Sequence, residues 1–72
     1  MAGLQSYVAV GGKVRSTAFG DTYDQVGVLR LAAIYIRAVL EGEALTVDSD
    51  LERLEQLLRA TRAARQQANG VA

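Results

Sequence analysis

The chain has 72 residues, with eight acidic and eight basic side chains, and half of its residues are hydrophobic, which indicates one folded domain at most. It contains neither cysteine nor histidine, which excludes disulfides, the strongest zinc sites and the usual general bases and nucleophile activators. We therefore expect a protein that is not an enzyme and has no catalytic, cofactor or metal site. A chain this short hides only ~60% of its unfolded surface, so association is the remaining way to gain stability.

The start of the chain predicts a cytoplasmic protein. Residues 1–6 have no basic region and no apolar region of the kind that begins a signal peptide. The longest apolar run falls short of the ~20 residues that a membrane span needs, so no membrane is expected as a partner. Seven of the eight basic residues are arginine, and proline is absent, a bias typical of a bacterial or phage protein.

Residues 4–19 predict a β-hairpin. Two β-prone runs flank Gly11-Gly12, and a two-residue turn of type I′ needs positive φ at both central positions, which glycine adopts freely. This turn sets the register, so that Val10 pairs with Lys13. Four residues then share the face that we assign to the core, and they are Tyr7, Ala9, Val14 and Ala18. The opposite face carries Val8, Val10, Lys13, Arg15 and Thr17.

Residues 22–41 predict the first helix. Thr22 and Gln25 have the spacing of a capping box, and Gly42 is the candidate for the C-terminal cap. The segment from residue 26 to residue 40 is largely apolar. Some of it is rich in β-branched residues and would also suit a strand, but its length favours the helix.

Residues 49–66 predict the second helix, after a short connection over residues 43–47. Ser49 and Glu52 form a second capping-box pattern, so Ser49 is the predicted N-cap. A heptad seam follows, with Leu57 and Ala64 beside it. Its members are Val47, Leu51, Leu54, Leu58 and Thr61. Residues 67–72 are expected to form a flexible tail. The predicted fold is thus a single α+β domain of ββαα type, a hairpin followed by an αα-hairpin.

The sequence does not match either of two ligand-binding loop motifs that it resembles locally. Gly12-Lys13 is followed by Val14, where a phosphate-binding loop needs Ser or Thr. Asp48, Asp50 and Glu52 alternate as a calcium loop begins, but Arg59 occupies the position of its bidentate glutamate. Turn formation and helix capping account for these residues better.

The first helix carries the strongest signal for a partner. At ~100° per residue, its polar positions occupy a narrow arc and leave about 240° apolar, whereas a surface helix of a monomer needs little more than ~100°. We therefore predict self-association, in the simplest case a homodimer, although a fully intramolecular core is the alternative. The predicted interface residues are Val28, Leu29, Leu31, Ile36 and Leu40. Because these residues are expected to serve the intramolecular core as well, a charge at Leu29 or Ile36 is expected to unfold the chain rather than give a folded monomer.

Two basic features could contact nucleic acid: one on the hairpin and one at the end of the second helix. A two-stranded ribbon fits the major groove, and a dimer would present two ribbons. Neither feature has interleaved aromatic residues. A solvated strand face explains the basic residues of the hairpin, and a favourable interaction with the helix dipole explains those at the end of the second helix. The residues are Lys13 and Arg15 on the ribbon, and Arg59, Arg62 and Arg65 on the helix.

The leading functional prediction is a small interaction module that is not an enzyme. It would act as a homo-oligomeric adaptor, inhibitor or regulatory subunit for another protein. The alternative is a small DNA-binding regulator of phage or toxin–antitoxin type. A third possibility is a subunit that completes a site on a larger enzyme. The sequence does not identify the partner.

Overall fold

The computed structural model describes residues 6–42 and 44–70, and for residues 44–46 it describes the backbone alone. A three-stranded antiparallel sheet precedes two helices, which confirms the predicted α+β class. The strands are β1 (Tyr7–Val10), β2 (Lys13–Ser16) and β3 (Thr22–Tyr23), in the order β1-β2-β3. The helices are α1 (Gln25–Glu41) and α2 (Ala44–Ala68). Both helices pack on one face of the sheet, α2 against β1 and β2, and α1 against β3.

The hairpin has the predicted turn and register. Gly11 and Gly12 have φ of 60° and 81°, and Val10 is the partner of Lys13. The predicted core face is correct for Tyr7 and Val14, which are buried, whereas Ala18 is exposed. The reason is that β2 ends at Ser16, so Ala18 lies in the turn to β3 and no longer follows the alternation of the strand.

The third strand was not predicted from the sequence. Thr22 pairs with Arg15, and Tyr23 pairs with Val14, so β2 is the central strand of the sheet. A turn brings β3 back: the Gly20 amide donates to the Ser16 carbonyl at 2.9 Å, and the Ser16 amide donates to the Asp21 carbonyl at 2.8 Å. A two-residue strand has too little pattern of its own to be recognised without its pairing partner.

The first helix begins at Gln25, not at residue 22, and its N-cap is Asp24 in place of the predicted Thr22. The Asp24 Oδ1 accepts a hydrogen bond from the Gly27 amide at 2.9 Å. Thr22 is held in extended geometry by its pairing in β3, so its hydroxyl is not placed for capping. The helix ends at Glu41 with Gly42 as C-cap, as predicted, although Gly42 has extended backbone.

Replacing Asp24 by alanine should lower the free energy of unfolding by about 1 kcal/mol, because the Gly27 amide loses its acceptor at the helix start. Thr22→Ala is the matched control and should cost less, since Thr22 is exposed and caps nothing. Chemical denaturation of both variants measures the difference. A larger loss of stability for Thr22→Ala than for Asp24→Ala would instead support Thr22 as the N-cap, as the sequence predicted.

The second helix begins five residues earlier than predicted, at Ala44, and continues to Ala68. Ser49 is therefore an exposed residue inside α2 and not its N-cap. No glycine or proline separates Ala44 from Ser49, and a residue suited to capping does not begin a helix where the preceding turn is itself helical. Residues 67–68 of the predicted tail also belong to the helix, while residues 71–72 lie outside the described residues.

The hydrophobic core is small and lies between the sheet and the helices. Leu57 and Val14 are its largest fully buried side chains, at 0% and 1% exposure. The heptad seam of α2 faces the inside only in part, because Leu51 and Leu58 are 39% and 55% exposed while its other three members are half-buried. The buried residues of α2 lie beside that seam, on the face that meets the sheet and α1. The core consists of Tyr7, Val14, Val28, Leu57, Ala60 and Ala64.

Two glutamines of α2 fasten the hairpin. Gln56 Oε1 accepts a hydrogen bond from the Ser6 amide. Gln67 Oε1 accepts from the Gly12 amide at 2.9 Å, and Gln67 Nε2 donates to the Ala9 carbonyl at 3.3 Å. They lie three helical turns apart on one side of α2. Gln67, assigned from the sequence to a flexible tail, is thus an anchor for the turn.

Candidate interaction surface

An apolar stripe runs along the outer side of α1, away from the core. Its members recur at intervals of three, four, three and four residues, the spacing of a helix-packing seam. Four of them are strongly exposed: Val26 at 56%, Leu29 at 63%, Ile36 at 47% and Leu40 at 79%. At ~100° per residue they fall within an arc of about 80°. The apolar stripe consists of Val26, Leu29, Ala33, Ile36 and Leu40.

The predicted interface set divides into two groups. Val28 is buried at 8% exposure, and Leu31 packs against the core, so both belong to the fold of the single chain. Leu29, Ile36 and Leu40 are exposed members of the apolar stripe. The reasoning that a charge at Leu29 or Ile36 would unfold the chain is therefore wrong, since these side chains contribute little to the core.

The second helix extends the same surface. The start of α1 lies beside the end of α2, because Val28, Leu29, Thr61 and Arg65 line one cleft of about 390 Å³. The two helices are thus antiparallel neighbours. Leu51 and Leu58 lie seven residues apart, next to the α1-facing side of α2, and remain exposed. We call the apolar stripe together with Leu51 and Leu58 the outer helical face.

Charged side chains border the outer helical face on both sides. Arg30 and Arg37 follow the stripe along the edge of α1 that is remote from α2. Asp48 and Glu55 follow Leu51 and Leu58 along the far edge of α2. All four are exposed, and within residues 6–42 and 44–70 none of them takes part in an ion pair. The edge of α1 is therefore basic at Arg30 and Arg37, and the edge of α2 is acidic at Asp48 and Glu55, each pair seven residues apart; Arg62 ends the row on α2.

The basic residues proposed for nucleic acid do not form one patch. Lys13 and Arg15 lie on the exposed side of β2, which is the central strand of a three-stranded sheet and not half of a free ribbon. Lys13 and Arg65 line the same cleft between the hairpin turn and the end of α2. Arg59 and Arg62 are exposed on α2, outside the residues that line this cleft.

Tyr7 on β1 and Tyr35 on α1 form a hydrogen-bonded pair. The hydroxyls of Tyr7 and Tyr35 are hydrogen-bonded, and their rings meet edge to face with centroids 6.3 Å apart. Burial, together with the hydrogen bond to Tyr35, raises the pKa of Tyr7 far above its usual range. Both effects disfavour the phenolate, so Tyr7 acts as a neutral structural residue that joins β1 to α1 and not as a base.

The described residues do not assemble a metal site. Within residues 6–42 and 44–70, acidic side chains do not gather in a group of three that could hold an ion. Nor does either helix, over its described residues, have the length and apolar character needed to cross a bilayer. The chemistry that this surface supports is apolar contact with a charged border.

Comparisons with known proteins give no relative. No family model, no curated protein and no solved structure matches the chain. Sequence reasoning found the stripe only in part. It missed Val26 and Ala33, although the three-and-four spacing from Val26 to Leu40 was available in the sequence and would have identified the complete row.

Proposed function

We propose that this protein is a small interaction module that is not an enzyme and works as a homo-oligomer, in the simplest case a homodimer. It would serve as an adaptor, inhibitor or regulatory subunit for another protein. The observation that carries the proposal is the outer helical face, an apolar surface with charged edges that the single chain leaves uncovered. Exposed apolar surfaces of this kind are typical of protein interaction sites.

The distribution of large aliphatic residues supports association. Nine leucine and isoleucine side chains are described, of which six are exposed, two are half-buried and only Leu57 is buried. A monomeric domain normally places most such residues inside. A single chain therefore leaves exposed most of the large aliphatic side chains whose burial could stabilise it. Association with a second copy is the simplest way to bury them.

The sheet offers a second surface for a different protein. Its outer side faces away from both helices, so association through the helices would leave it free. Val10 is 52% exposed there, beside the exposed Lys13 and Arg15, and Phe19 at the β2–β3 turn is 82% exposed. A homo-oligomer with this surface pointing outward would present the same binding site more than once, as an adaptor or regulatory subunit does.

The melting temperature should rise with protein concentration, because the folded state of a homo-oligomer is favoured by mass action. For a dimer of this size we expect the melting temperature to fall by about 5 °C for each tenfold dilution of the protein. Circular dichroism melts over a wide concentration range provide the measurement. Identical melts at all concentrations would contradict the homo-oligomer.

The partner class is tested by purifying the tagged protein at its native abundance and identifying what accompanies it. A second protein in defined stoichiometry is expected. Phe19→Ser is the matched variant, since Phe19 is too exposed to affect folding, and it should reduce that association. Recovery of DNA in place of protein would support the regulator alternative and contradict the proposal.

A further inference from the structure

We infer that two copies of this chain pack with their outer helical faces together, so that α1 of each copy lies over α2 of the other. The inference rests on the proposed homo-oligomer and specifies its interface. The assembly would have two layers of two helices each between two sheets.

The size of the outer helical face suits a second copy as its occupant, since it approaches the size of a standard dimer interface. At 1.5 Å per residue, the 17 residues of α1 are about 25 Å long, and two adjacent helices are about 20 Å wide. The face therefore covers roughly 500 Å² in projection, and more as accessible area, against about 800 Å² that each partner of a standard interface buries. An apolar centre with a charged border is also the usual composition of such interfaces.

The seam spacing on both helices fits packing against other helices. The apolar stripe recurs every three and four residues along α1, and Leu51 and Leu58 continue that period on α2. Ala33 lies at the middle of the stripe, where its small side chain allows a neighbouring helix to approach closely. A repeat of three and four residues allows the side chains of two facing helices to interdigitate. Binding to a flat partner surface would not require such a repeat.

The charged edges decide which helix faces which. Only residues 42 and 43 connect the helices, so Arg37 and Asp48 lie equally far along the chain from that connection, as do Arg30 and Glu55. A two-fold axis parallel to the helices places α1 over α2 of the second copy and preserves position along the helices. Each arginine then lies opposite a carboxylate of the other copy. With α1 over α1, arginines would instead face arginines, which is unfavourable.

The apolar part of the interface is tested with Leu40→Glu, which changes the most exposed leucine whose side chain the structure describes. It should give a folded protein of one-chain mass, because Leu40 contributes little to the core. Val10→Glu is the matched control, a charge at an exposed apolar position on the sheet, and should leave the dimer intact. Retained helical signal in the circular dichroism spectrum verifies folding. A dimeric Leu40→Glu protein would overturn the inference.

The arrangement of the helices is tested by reversing one edge at a time. Arg30→Glu with Arg37→Glu places carboxylates opposite Asp48 and Glu55 of the other copy, and Asp48→Lys with Glu55→Lys places ammonium groups opposite its arginines. At low ionic strength each double variant alone should dimerise at least ~tenfold more weakly than the wild type. An equimolar mixture should regain wild-type affinity as a heterodimer, because every facing pair is again of opposite charge.

The outcomes separate this inference from the proposed function. Double variants that dimerise as tightly as the wild type, or a mixture that does not recover, would overturn the α1-over-α2 arrangement. A wild-type dimer that is disrupted by Val10→Glu and not by Leu40→Glu would place the interface on the sheet and leave the homo-oligomer standing. A monomeric wild type would refute both.

Discussion

Leu57→Ala should come close to unfolding the protein. Leu57 is fully buried, and it belongs to the cluster formed by the sheet and both helices. Truncating a buried leucine typically costs 2–5 kcal/mol, since it removes apolar contacts and leaves a cavity. The whole stability of a chain of 72 residues is expected to be only about 4–11 kcal/mol.

Ile34→Ala is the comparison for Leu57→Ala. Ile34 is 62% exposed on α1 and lies outside both the core and the apolar stripe. Its truncation should cost less than about 1 kcal/mol. Urea denaturation at one protein concentration measures both variants. Equal midpoints for the two would mean that the core does not centre on Leu57.

Gly12→Val should be the most damaging change in the hairpin. The residue has φ of 81°, which a β-branched side chain adopts only with strain of about 1–2 kcal/mol. A Cβ at this position would also lie 3.3 Å from the Cβ of Ala68 and 3.4 Å from its Cα. The side chain would therefore push the turn away from α2 and weaken the hydrogen bond from the Gly12 amide to Gln67.

Gly11→Val separates the two causes. Gly11 also has positive φ, but an added Cβ there would meet nothing within 4 Å. It should therefore show the backbone strain alone, with Gly12→Val about 1 kcal/mol worse. The measurement is thermal or urea denaturation of both variants. If Gly11→Val were the more destabilising of the two, the contact between the turn and the end of α2 would not contribute to stability.

Local chemistry explains what the sequence predicted well. The hairpin register follows from Gly11-Gly12, because the backbone of a two-residue turn is fixed by its own residues. The end of α1 at Glu41 was also predicted, although Gly42 has extended backbone there and does not use the conformational freedom of glycine. The starts of the helices were predicted less well, since several residues near each start can cap, and pairing in β3 decided between Thr22 and Asp24.

Tertiary packing explains what the sequence did not predict. The wide apolar arc of α1 contains both core and outer residues, and periodicity alone cannot divide Val28 from Leu29. Only the position of the sheet and of α2 shows which side is covered. The same holds for α2, where Leu51 and Leu58 of the regular heptad seam are exposed and Leu57 beside the seam is buried. The glutamine anchors were missed because the identity of a polar residue on a helix does not indicate which backbone group it will bind.

The central claim is that the outer helical face is covered by a second copy, and sedimentation equilibrium of the wild-type protein tests it most directly. We predict a species with twice the 7.7 kDa mass of one chain at micromolar concentration, dissociating on dilution. A single species of 7.7 kDa over the whole range, folded by circular dichroism, would contradict the account.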